Sequence, residues 1–232
     1  MVNYETFEIP EFCSQSGITL SVRIAYKTYG NLSAKKDNAI LIPTFYGGRH
    51  EETEYFFAEG RALNLEEYFI IVPNMIGNGY STSPSNTLPA YRGPRFPLFT
   101  IYDNVCCQHA LVTKHLGIER LRLVIGFSMG AQQSFQWGAC HSDVVDGILP
   151  ICGSARISEH NRVFLESAVN TLRLDPNFNQ GNYKSPPLDG LLAFGHVYSA
   201  WLFSQDFFRE RIYTRSGFKS AEEIVEFTQK YF

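Results

Sequence analysis

The sequence predicts an α/β fold built on a mostly parallel sheet covered on both faces, and three observations carry that reading. Short continuous apolar runs at Asn38–Pro43, Tyr68–Pro73, Leu121–Ile125 and Asp146–Cys152 lack polar alternation, as strands buried on both faces require. Between them lie stretches with helical spacing, most clearly Ile101, Val105, Gln108, Val112 and Leu116, closed by Gly117. Strands and helices that alternate in this way pair in parallel through crossover helices. A length of 232 residues suffices for one large domain, or a domain with an appendage, around a substantial core.

In chain order, Phe7 to Tyr29 is extended and divided by a Ser16-Gly17 turn, which predicts two antiparallel strands. The Asn38–Pro43 strand runs into Thr44-Phe-Tyr-Gly-Gly48, where paired glycines mark a loop whose backbone closely approaches something. A helical interval is expected through Leu65 before the next strand. Asn74 to Asn86 is a Gly/Ser/Pro loop, and Pro84 to Pro97 continues without periodicity. Beyond Gly153, Ser158–Leu174, Leu188–Gln205 and Ser220–Phe232 read as helices, separated by the Asn/Pro/Gly-rich Asp175–Pro187, and no buried strand follows Cys152. The expected division is a core over 1–153 and a helical unit over 154–232.

Composition excludes several classes of function. The net charge of −3, from 20 basic and 23 acidic residues without a basic run, argues against nucleic-acid or membrane-surface partners. The start, Met1-Val-Asn-Tyr-Glu-Thr-Phe-Glu8, has no signal-peptide pattern, and no apolar run approaches the roughly 20 residues of a membrane span. A soluble, cytoplasmic protein is expected. The cysteines, Cys13, Cys106, Cys107, Cys140 and Cys152, are odd in number and lack metal-ligand spacing, so buried reduced thiols are expected and a metal site is not. Tyr and Phe crowd the C-terminal third, which suggests an apolar pocket or lid there.

The segment Leu121–Trp137 reads as a strand, a tight turn and a helix, with Ser128 at the turn in the order Gly126-x-Ser128-x-Gly130. This is the nucleophile-elbow pattern. Glycines are expected on either side because a Cβ there would clash where strand and helix backbones touch. The serine itself is expected in a strained conformation that lifts its hydroxyl clear of the sheet edge. The helix beginning at Met129 directs its first N–H groups to the same spot and favours a negative oxygen there.

Three blocks, Asn74–Pro84, Phe96–Gln108 and Ile125–Trp137, resemble the homoserine O-acetyltransferase branch of the α/β-hydrolase superfamily. The most specific part is Ser128-Met-Gly followed by glutamine and then Trp137 on the elbow helix, and the resemblance extends over roughly Glu5 to Arg209. It implies an α/β-hydrolase core with a partial helical lid, the family's last strands being absent from these residues. It implies Ser128 as nucleophile and the backbone N–H groups of Tyr46 and Met129 as the oxyanion hole. The implied reaction is transfer of an acyl group from acyl-CoA to an alcohol through an acyl-serine, with acyl-CoA as co-substrate and no bound cofactor. A serine esterase is the alternative, and a non-catalytic, truncated hydrolase-like protein is a further one. Expected partners are a small-molecule ester or acyl acceptor and, in a homodimer, a second copy of the chain.

The sequence departs from the family pattern in two ways. His196 stands where amino-acid-acylating members carry a lid arginine. The family's catalytic Asp and His follow two further strands and have no counterpart up to Phe232, so the chain alone is expected to be impaired and prone to self-association. Of the other histidines, His141 ends the elbow helix roughly 18 Å from Ser128 at 1.5 Å per residue and reads as a surface residue. His160 reads as a solvated helix start, with a place at the site as the other option; His109 and His115 read as structural. His50, just past the oxyanion loop, is a candidate pocket wall. His196, Tyr198 and Trp201 on the expected lid are candidates for substrate contact, with packing as the alternative. Asp103 and Gln108 are expected to fix a helix start and support the elbow rather than to react.

Overall fold

The computed structural model describes residues 3–57 and 60–231. The helical interval expected to run to Leu65 crosses residues 58 and 59, and the last helix was expected to end at Phe232; those three positions lie outside the described residues. The chain divides into two compact units, Met1–Arg156 and Ile157–Phe232.

The first unit contains β1 (Glu5–Cys13), β2 (Thr19–Tyr29), β3 (Ala39–Leu41), α1 (His50–Thr53), β4 (Phe69–Pro73), α2 (Ile101–Ala110), β5 (Leu123–Phe127), α3 (Met129–Cys140) and β6 (Ile148–Ile151). They form a six-stranded sheet in the order β1-β2-β4-β3-β5-β6. β1, β2 and β4 pair antiparallel, while β4, β3, β5 and β6 pair in parallel. The parallel strands carry apolar residues on both faces because both are covered. Leu41, Ile71 and Val124 enter one buried cluster with Val105, Leu111 and Trp137, the contribution of the helical segments after β4 and β5. Their neighbours Ile40, Ile70 and Ile125 enter the opposite cluster with Phe57, beyond α1. One-residue alternation along each strand thus feeds two cores.

Asp103 fixes the start of α2. Its carboxylate accepts from Thr100 N–H at 2.8 Å while Thr100 Oγ1 accepts from Asp103 N–H at 3.2 Å, a reciprocal cap. The other carboxylate oxygen accepts from Gln15 N–H at 2.9 Å and ties the helix to the β1–β2 turn. Past Ala110 the helix widens, with Leu116 N–H bonded to Leu111 C=O at 3.0 Å, before Gly117 turns the chain.

The second unit contains α4 (Glu159–Leu174), α5 (Leu188–Leu202), α6 (Gln205–Arg209) and α7 (Ala221–Tyr231). Phe164 of α4 stacks on Trp201 at 4.5 Å and meets Tyr198 at 5.5 Å, joining α4 to α5 through aromatic contacts. The Asp175 carboxylate accepts from Gly190 N–H and Asn177 N–H at 2.9 and 2.8 Å, which stitches the end of α4 to the first turn of α5.

Two expectations need correction. His141 is half-buried rather than a surface residue: its ring stacks on His109 of α2 at 4.0 Å and packs against Trp137 at 5.2 Å. Nor are the cysteines uniformly buried. All are free thiols, but only Cys107 is fully enclosed, and Cys13, Cys140 and Cys152 are exposed. Burial pushes the thiols of Cys106 and Cys107 above the ordinary cysteine value. Among the described residues no group of His, Cys, Asp and Glu could hold a metal ion, and no helix is long and apolar enough to cross a membrane.

Candidate active site

The sheet order itself marks where a ligand belongs. From β3 the chain passes to β4 on one side, then returns across β3 to β5 on the other, so the topological switch lies between β3 and β5. In open α/β sheets the crevice beyond the carboxyl ends at such a point receives the ligand. The residues leaving those two ends are Thr44–Gly48, after β3, and Ser128, after β5.

Ser128 has φ 53° and ψ −118°, which strains a residue with a side chain, and it sits as the N-terminal cap of α3 without capping the helix through its hydroxyl. Its main chain is fixed instead: its N–H donates to Ile151 C=O at 2.9 Å, and its C=O accepts from Ala131 N–H at 3.0 Å. The hydroxyl is therefore held off the helix by backbone bonds. The flanking glycines behave as the close approach demands. A Cβ on Gly126 would run into the Gly130 carbonyl, and one on Gly130 would lie 2.7 Å from the Pro43 carbonyl oxygen. The second contact brings the first turn of α3 against the backbone that leads into the Thr44–Gly48 loop.

That loop is a tight turn, with Gly48 N–H bonded to Phe45 C=O at 2.9 Å and Gly47 at φ 74°. The bond orients the peptide plane that carries the Tyr46 N–H. Thr44 before it is buried and held at several atoms. Its N–H donates to Pro73 C=O at 3.3 Å, its Oγ1 accepts from Met75 N–H at 2.9 Å, and its C=O accepts from Gln133 Nε2 at 2.8 Å. Met129 opens α3, where the first N–H groups have no partner within the helix.

His50 opens α1 and is 1% exposed. Its Nδ1 lies 3.3 Å from Asn74 Nδ2 and from Glu51 Oε2, and its ring is enclosed by Tyr4 and Tyr80. Nε2 is buried without a hydrogen-bond partner among the described residues. The structure thus sets His50 in a buried polar cluster. The lid candidates all belong to the second unit. His196 Nδ1 is 2.9 Å from Leu192 C=O, Trp201 stacks on Phe164 and meets the His160 ring at a tilt, and Tyr198 contacts Phe164 and Phe194. His115 Nε2 lies 2.9 Å from the Tyr26 hydroxyl, whose pKa burial pushes up to about 12. With His109 and His141 stacked on each other, each of the six histidines in the chain has contacts away from Ser128.

Sequence reasoning passed over Gln133 and Asn74. Gln133 is fully buried on α3, and Asn74 joins the end of β4 to β2 and α1 by bonds to Ala25 C=O and His50 N–H. A signal for Gln133 was present in the spacing: Met129, Gln133 and Trp137 recur every fourth residue, so the glutamine shares a helix face with a core tryptophan.

Comparison with known proteins agrees with this architecture. The model of the alpha/beta hydrolase fold family matches residues 40–228. The chain is 41% identical over 213 residues to an ethyl acetate hydrolase of Pseudomonas veronii, covering 90% of this chain and 61% of that protein. It is 36% identical over 189 residues to a homoserine O-acetyltransferase of Haemophilus influenzae, covering 73% of this chain and 51% of that enzyme. It superimposes on the acetyl esterase MekB with a TM-score of 0.95 at 38% identity, covering 99% of this chain and 68% of that one. The chain spans less than two thirds of the length of these two curated relatives. The family match, the switch-point topology and the strained serine of the elbow agree: the chain belongs to the alpha/beta hydrolase fold family.

Proposed function

We propose that the intact protein is a serine esterase that cleaves acetate esters of small alcohols through an acyl-enzyme at Ser128. The observation that carries this reading is Ser128 at φ 53°, held at the β3/β5 switch point between the loop after Thr44 and the first turn of α3. In this reaction Ser128 Oγ attacks the ester carbonyl and loses its proton to a general base. The carbonyl oxygen becomes an oxyanion, and Tyr46 N–H and Met129 N–H are the donors assigned to it. The ester C–O bond then breaks, the alcohol leaves with a proton, and water repeats the attack on the acyl-serine to release acetate. The reaction balances without a cofactor. Similarity to the ethyl acetate hydrolase and the acetyl esterase favours water as acceptor over the alcohol acceptor expected from the sequence. His196 in place of the family's lid arginine argues the same way.

Transfer of an acetyl group to an alcohol shares the same acyl-serine and is the second reading, favoured by the similarity to the Haemophilus transferase. One experiment separates them. The intact enzyme is given ethyl acetate in water and, separately, acetyl-CoA with and without homoserine. Acetate release from the ester, with acetyl-CoA consumption indifferent to homoserine, is expected. Homoserine-dependent consumption of acetyl-CoA that outpaces ester hydrolysis would establish the transferase instead. Ser128→Ala should lower turnover at least about a thousandfold in either case.

A further inference from the structure

Behind the elbow runs a chain of hydrogen bonds that the reaction as written does not use. Trp137 Nε1 donates to Gln108 Oε1 at 2.8 Å, Gln108 Nε2 donates to Gln133 Oε1 at 2.6 Å, and Gln133 Nε2 donates to the Thr44 carbonyl at 2.8 Å. All of it is enclosed, with Trp137, Gln133 and Thr44 each 0% exposed and Gln108 2%. Its direction is locked at both ends. An indole nitrogen can only donate and a peptide carbonyl can only accept, so neither glutamine amide can flip without leaving two like groups face to face. In a dry interior such a mismatch strands polar atoms that water cannot rescue.

The end point of this relay is the residue that begins the oxyanion turn. Thr44 C=O belongs to the Thr44–Phe45 peptide, and the next peptide plane carries the Tyr46 N–H. The start point lies on α3, the helix whose first N–H is the other assigned donor. Gln133 therefore bridges the two elements that must supply oxyanion donors, while Gln108 anchors the bridge from α2. The neighbouring contact of Gly130 with the Pro43 carbonyl sets the approach of the two backbones. The Gln133 bond sets which way the loop backbone faces once they meet.

We propose that Gln133, aligned by Gln108 and Trp137, is a positioning residue for the reaction at Ser128, holding the Thr44–Gly48 loop so that Tyr46 N–H and Met129 N–H keep a fixed spacing around the oxyanion. The proposal rests on the reading of Ser128 as the acylated nucleophile. It differs from a packing role in what it affects: the transition state carries the oxyanion and the bound ester does not, so the loss falls on kcat and leaves KM in place.

The test uses the intact enzyme, an acetate ester and a fluorophosphonate whose adduct places an oxygen where the oxyanion forms. Gln133→Met keeps the length and removes the donor, and it should lower kcat about a hundredfold, as a displacement near 1 Å would. KM should stay within about threefold of the parent value. The rate of phosphonylation should fall in step with kcat. Trp137→Phe keeps a ring and removes only the first donor, so it should show a smaller loss with the same split. If Gln133→Met does not fold, Trp137→Phe decides by the same readouts. A folded Gln133→Met enzyme with parent-like kcat and phosphonylation, or with a loss confined to KM or to thermal stability, overturns the proposal. Ser128→Ala separates the two layers. If it stays active, the nucleophile reading falls and the relay with it. If it is inactive while Gln133→Met is parent-like, only the relay falls.

Discussion

Single residues at the elbow are constrained by backbone contacts more than by their own chemistry. At Gly126 an added methyl has no room, because the atom it meets is the carbonyl of Gly130 within a helix turn and cannot rotate away. Gly126→Ala should therefore destabilise the protein by about 1–3 kcal/mol or more, read as a lowered urea midpoint with the m-value unchanged. The stacked pair His109 and His141 gives a pH-dependent prediction. Burial holds both imidazoles below their ordinary value, each also sits near a further positive group, and the Asp143 carboxylate opposes the shift. A lowered folded-state pKa means that the unfolded chain binds more protons below about pH 6.5, so stability is fully present above that value and is lost as pH falls below it. The melting temperature should drop between pH 7.5 and 5.5, and His109→Gln with His141→Gln should flatten that drop. An unchanged slope in the double variant would remove the pair from the pH response. From sequence, His141 lay at a helix end, where exposure is the ordinary expectation; only its stacking on His109 of α2 half-buries it.

Elements carry the next level of constraint. If the Phe45–Gly48 turn presents the proposed main-chain donor, activity depends on the Tyr46 peptide N–H rather than on the tyrosine ring. Tyr46→Pro removes that N–H and should slow turnover of the intact enzyme about a hundredfold, whereas Tyr46→Ala should cost far less. Equal turnover in folded Tyr46→Pro and parent would exclude Tyr46 as a donor. In the helical unit, α4 and α5 are joined by Phe164 between Tyr198 and Trp201. Phe164→Ala deletes the 8%-exposed ring at the middle of that stack. It should cost about 3–5 kcal/mol, seen as earlier loss of protection in amide exchange of α4 and α5 than of the sheet. Uniform loss across both units would show that they unfold together. The periodicity of α2 and the apolar runs of β3, β4 and β5 were legible because their burial patterns repeat locally. The helical interval expected through Leu65 was legible only in part: α1 lies within it, but the described residues 60–65 form turns and bends, because a helix as short as α1 has no period that marks its end.

For the whole molecule, the sheet's last strand, β6, pairs only with β5 among the described residues, and Leu149 within it is 46% exposed. An edge of this kind invites pairing with another chain. The 232-residue polypeptide expressed alone should therefore self-associate as its concentration rises in light scattering. A stable monomer across the concentration range would contradict this. Sequence by itself determined the strand–turn–helix around Ser128, the buried parallel strands and the helical character of the last third, because each of these is written in neighbouring residues. It also carried the α/β-hydrolase fold family, though not the branch within it, through motifs in which the chemistry needs particular residues at fixed spacing. The supporting roles of Asp103 and Gln108 were readable, but tertiary structure alone decided what Gln133 and Asn74 do. Whether Gln133 bonds its own helix, a partner glutamine or the Thr44 carbonyl depends on how α2, α3 and the loop after β3 meet in space. Residues so far apart in the chain share no local pattern, and only the packing of the sheet brings their donors and acceptors within reach.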